Sequence, residues 1–116
     1  MKSGLRRACS VALLVGVDDR VAAICAAAAM EAGIAIRRVA HGPAACRMMQ
    51  DARPSVVVLP PTLWRDERDA ITAVCREIGA HVIDVPRDVV PAWLALVFVR
   101  AANRATEAQS LLAGAG

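Results

Sequence analysis

The sequence predicts a three-layer α/β domain: a doubly wound parallel sheet of four or five strands with helices on both faces. Three observations predict it. Short apolar runs rich in valine alternate with longer alanine-rich or amphipathic stretches, the pattern of repeated strand–helix–strand units. Glycine and proline cluster at the boundaries of those stretches. The chain has 116 residues, 57% hydrophobic and 22% charged, which suits one ordered domain with one core. Aromatic residues make up only 3%, so alanine, valine and leucine must fill that core.

The elements follow in order. Residues 11–17 (VALLVGV) are a continuous apolar run, the mark of a strand buried on both faces. Asp18 and Asp19 come next, and either is suited to cap the helix expected over 20–32, which Gly33 ends. Residues 34–39 (IAIRRV) predict a second, more polar strand. Pro43, after His41 and Gly42, suits the first turn of a helix that runs to Asp51. Arg53-Pro54 closes that unit, 55–59 (SVVVL) is a third buried strand, and Pro60-Pro61 stops it. Over 66–78, Ala70, Ile71, Val74, Cys75 and Ile78 form one helical stripe with charges opposite. Residues 81–85 (HVIDV) are a fourth strand ended by Pro86.

Beyond Pro86 two readings stand. The segment 93–99 (WLALVFV) is apolar on all sides. Its valines and Phe98 favour a helical turn near 87–92, a fifth strand near 95–99 and a last helix over 101–113. The alternative is one long helix from about residue 88. Residues 1–10 stand as an N-terminal extension and 87–116 as a divergent C-terminal segment of a single domain.

Composition narrows the function classes. The formal charge is +3, and the only adjacent basic pairs are Arg6-Arg7 and Arg37-Arg38. A nucleic-acid interface would show a denser basic stripe with stacking aromatics. Cys9, Cys25, Cys46 and Cys75 form no C-x-x-C pair. The expectation is reduced thiols, with Cys25, Cys46 and Cys75 buried in helices. His41 before Cys46 and His81 after Cys75 each lack the second ligand pair of a zinc site. The run 11–17 after Lys2, Arg6 and Arg7 is short and ends in Asp18-Asp19, not in a small-residue cleavage site. The stretch 89–99 is too short to span a bilayer. A cytoplasmic protein with no membrane partner is expected.

The order and punctuation of these elements resemble the receiver domains of bacterial response regulators, whose fold is flavodoxin-like. The likeness lies in spacing over residues 11–86: Ala32-Gly33, His41-Gly42, Arg53-Pro54-Ser55 and then the run Val56 to Leu59. The resemblance implies positions for phosphoryl chemistry, and this sequence departs from all of them. The phosphoacceptor aspartate falls on Pro60, and the acidic pair that would hold magnesium falls on Gly16-Val17. The hydroxyl position falls near Val85 or Pro86, and the lysine position on Arg100, which keeps a charge without being equivalent. Receiver phosphorylation needs a carboxylate nucleophile and a carboxylate-held cation. The resemblance therefore implies a degenerate pseudo-receiver: not an enzyme, without a cofactor, serving phosphorylation-independent protein interaction in signalling or gene regulation.

Other candidates stand beside it. Asp18, Asp19 and Asp84 are candidate metal or small-ligand residues at the carboxyl edge of the sheet, where such folds place ligands; the plainer reading makes Asp18 and Asp19 a helix cap and a solvated carboxylate. The chain has no G-x-G-x-x-G fingerprint. A non-catalytic subunit of an enzyme complex is a further alternative. Trp64, beside Arg65, is either a hydrophobic lid over the lost phosphorylation pocket or an exposed anchor for a partner. Trp93, Leu96, Val97 and Phe98, with Arg100 and Arg104, are the candidate interface for a homodimer or a larger partner, and the resemblance implies dimerisation through this part of the chain.

Overall fold

The computed structural model describes residues 10–115. Four strands alternate with four helices: β1 (Val11–Val15), α1 (Asp19–Ala32), β2 (Ala35–Val39), α2 (Gly42–Ala52), β3 (Val56–Leu59), α3 (Arg65–Ile78), β4 (His81–Asp84) and α4 (Pro91–Ala115). The strands form one parallel sheet in the order β2-β1-β3-β4. This is the doubly wound α/β class that the alternation predicts.

The period of two along each central strand divides the core. Ala12, Leu14, Val56, Val58 and Ile83 face α1 and α4, whereas Leu13, Val15, Val57 and Leu59 face α2 and α3. Every residue of β3 is buried, so a strand covered on both sides needs no polar alternation. On one face Cys25, Ala28 and Ala29 of α1 join Leu94, Phe98 and Ala102 of α4. On the other, Ala45 and Met49 of α2 join Ile71 and Cys75 of α3.

Local chemistry sets the boundaries. Asp18 is the N-cap of α1, its carboxylate accepting from the Val21 N–H at 2.8 Å. Gly33 ends the same helix at φ 73°, a left-handed conformation that costs glycine little. Arg53 takes the equivalent position after α2 at φ 47°, where a side chain is strained.

Three expectations are corrected. The fifth strand near 95–99 does not form, and Pro91–Ala115 is one helix. Leu94, Phe98 and Ala102 recur at helical spacing against α1 and the sheet, and Ala105 is buried beyond them. Phe98 is therefore not an interface residue: it is fully buried within its own domain. Cys25 and Cys75 are buried but Cys46 is only partly so; Cys9 lies outside the described residues. No helix among the described residues is long and apolar enough to cross a membrane.

Candidate functional site

The carboxyl ends of β1, β3 and β4 open onto a cleft of about 270 Å³, lined by residues that include Gly16, Asp18, Arg20, Pro60, Thr62, Val85 and Arg87. It gathers the positions that the receiver resemblance singles out, except one. Gly16 turns the chain out of β1 at φ 62° and donates its N–H to the Val39 carbonyl at 2.8 Å. A Cβ there would lie 3.3 Å from the Ala40 carbonyl oxygen and 3.9 Å from the Pro60 ring. Both the backbone conformation and the close approach therefore oppose a carboxylate-bearing residue. Val17 is 7% exposed and belongs to the core. Pro60 is buried, and Val85, also buried, donates its N–H to the Leu59 carbonyl at 2.9 Å.

The exception is Arg100. With no fifth strand to carry it to the cleft, it lies on α4 and lines a separate groove beside β4.

The carboxylates proposed as ligands are each engaged elsewhere. Asp18 caps α1. Asp19 pairs with Arg38 at 3.2 Å, and Asp84 pairs with Arg68. No group of three or more metal-ligating side chains gathers among the described residues. Asp18, Asp19 and Asp84 thus serve a cap and two clamps rather than one site.

Two arginines that the sequence reading passed over brace the carboxyl ends of the strands. Arg38 on β2 donates to the Val17 carbonyl at 3.1 Å as well as to Asp19, tying β2 to the turn after β1. Arg68 on α3 donates to the Pro60 carbonyl at 2.8 Å and to the Asp84 carboxylate, tying the ends of β3 and β4 together. A sequence signal for Arg68 existed: it stands three residues before Ile71 and seven before Cys75, on the buried stripe of α3. A charge on an apolar stripe marks a residue that must find a partner.

Trp64 precedes α3 and is 78% exposed. It does not line the cleft, so the lid reading is withdrawn. Arg65, the first residue of α3, is exposed beside it. Trp93 and Leu96 on α4 are 42% and 51% exposed, Val97 is half-buried, and Arg100 and Arg104 are exposed. Spaced by three, four and seven residues, these positions make one stripe of the helix surface.

Among the described residues Asp18 is the one carboxylate lining the cleft, and it is committed to its helix. The other charged groups there are Arg20 and Arg87. This arrangement is unsuited to holding a divalent cation, which takes several oxygen ligands.

No family model and no curated protein matches the chain. Among solved structures it is similar to a de novo designed Rossmann-fold protein, at 17% identity over 75% of this chain and 90% of that one, with a TM-score of 0.53. It is also similar to a candidate response regulator from Chloroflexus aurantiacus J-10-fl, at 16% identity over 82% of this chain and 98% of that one, with a TM-score of 0.52. At such identities the likeness is one of fold, and the fold of this chain is the receiver-like, Rossmann-type α/β arrangement.

Proposed function

We propose that this chain is a pseudo-receiver, a regulatory domain in bacterial signalling that binds a protein partner without being phosphorylated. The observation that carries the reading is the cleft. The phosphoacceptor position is a buried proline, and the acidic pair is replaced by a left-handed glycine turn and a core valine. The stripe of exposed Trp93, Leu96, Arg100 and Arg104 around half-buried Val97 supports the interaction half of the reading, since apolar residues with an arginine rim suit a protein interface. The metal-binding alternative loses its donors to the cap and the two clamps.

Incubation with acetyl phosphate and Mg²⁺ should leave the intact mass unchanged. Pro60→Asp should remain inert, because Gly16 and Val17 still supply no carboxylate. A stoichiometric, base-labile phosphoryl adduct on the wild-type chain would overturn the reading.

A further inference from the structure

Among the described residues the sheet stops at β4, which pairs with β3 alone. In a parallel ladder the backbone groups of alternate residues turn to opposite sides. The N–H of His81 donates to the Ser55 carbonyl and that of Val85 to the Leu59 carbonyl, each at 2.9 Å. The backbone N–H and C=O of Val82 and Asp84 therefore turn outward, along the free edge. Beside that edge runs a groove of about 240 Å³, with His81, Val82 and Ile83 on the strand side and Val97, Arg100, Ala101 and Arg104 on the α4 side.

Charge identifies the occupant. No carboxylate of the described residues lines the groove. The ion pairs among the described residues are Arg38–Asp19 and Arg68–Asp84, so Arg100 and Arg104 are engaged in neither. The opposite edge of the sheet, β2, carries Arg37 and Arg38 and has Arg38 folded back onto the turn after β1, the kind of charged edge that discourages pairing. The β4 segment HVID has no lysine, arginine or proline to block its edge.

Building on the protein-interaction reading, we propose that the β4 edge binds an extended, acidic segment of a partner protein. It adds as a fifth strand beside Val82 and Asp84, with its carboxylates on Arg100 and Arg104. Backbone pairing supplies the attachment and the arginines select the sequence. A second copy of the chain suits the edge less well. Its β4 offers one carboxylate, Asp84, already held by Arg68, and its own Arg100 and Arg104 would meet their counterparts.

The test uses a fluorescein-labelled peptide of alternating glutamate and valine, titrated by anisotropy, with an alternating lysine–valine peptide as control. The acidic peptide should bind, the basic one should not, and added salt should weaken binding. Arg100→Glu with Arg104→Glu, both on the exposed face of α4, should weaken it by roughly tenfold or more. Val82→Pro removes one outward N–H and leaves the inward bonds to β3, so it should also abolish binding while circular dichroism reports an intact fold. In hydrogen exchange, bound peptide should slow the Val82 and Asp84 amides.

Absence of binding by the acidic peptide would overturn the proposal, as would binding that survives Val82→Pro or leaves those amides unprotected. Self-association that the same proline abolishes would assign the edge to a second copy instead. An inert cleft with an unoccupied edge would sink only this inference, whereas phosphoryl labelling would sink the pseudo-receiver reading and leave the edge result standing.

Discussion

Leu96 and Phe98 lie two residues apart on α4, yet one is 51% exposed and the other fully buried. Phe98 packs within the face formed by α1, α4 and the sheet. Phe98→Glu would remove that packing and bury a charge with no partner. Truncating a buried phenylalanine alone costs about 3–5 kcal/mol, a large share of the roughly 5–15 kcal/mol that holds a domain together. The expected outcome is an unfolded chain by circular dichroism. Leu96→Glu should stay within about 0.5 kcal/mol of the wild type in a thermal or urea melt. A folded Phe98→Glu protein would contradict the assigned packing. Two apolar letters of similar hydrophobicity, two places apart, carry no sign of this difference; only the helical phase against α1 separates them.

At the scale of elements, α4 is the part that the sequence left ambiguous. Trp93 and Leu96 are apolar at exposed positions, so the segment is hydrophobic all round and its helical period is masked. By contrast α3, with charges opposite Ile71 and Cys75, was legible at once. Continuity of α4 is testable at Arg100, which is exposed and would sit at the junction between a fifth strand and a last helix. In one continuous helix Arg100→Pro removes an internal hydrogen bond and forces a clash, a cost of about 3 kcal/mol or more. A lowered melting temperature of the folded variant, with helix content reduced, is expected. An unchanged melt would return the segment to a strand, a loop and a helix.

At the scale of the whole molecule, one buried thiol among the described residues lies in each layer of the core: Cys25 between the sheet and α1, Cys75 between the sheet and α3. Burial pushes both up to about 11 from an ordinary 9.0, with Cys46 adding to the rise at Cys75. The folded chain thus keeps protons that the unfolded chain releases. Stability from this source is whole below pH 9 and is lost as pH rises towards 11. The chain has no tyrosine, Lys2 is its one lysine, and arginine does not titrate in this range, so little else masks the effect. The urea midpoint should fall between about pH 9 and 11, and Cys25→Ala with Cys75→Ala should flatten that fall. In native protein at neutral pH, Cys46 should react with a thiol reagent before Cys25 or Cys75 does.

Sequence alone determined the class of the fold. The strand–helix alternation, the proline and glycine punctuation, and the doubly buried valine runs are local properties, and each survives in the tertiary arrangement. That position 60 offers no nucleophile was legible too, because a proline there is a fact of composition at one position. Tertiary structure decided what depends on neighbours distant in the chain. It engaged Asp19 with Arg38 and Asp84 with Arg68, so carboxylates that looked available as ligands are clamps. It assigned Phe98 to the core and Leu96 to the surface, since burial depends on which side of α4 meets α1. Among the described residues it also ended the sheet at β4, leaving Val82 and Asp84 on an open edge beside Arg100 and Arg104. An unpaired edge is a property of the strand that is not there, and no residue in β4 itself records it.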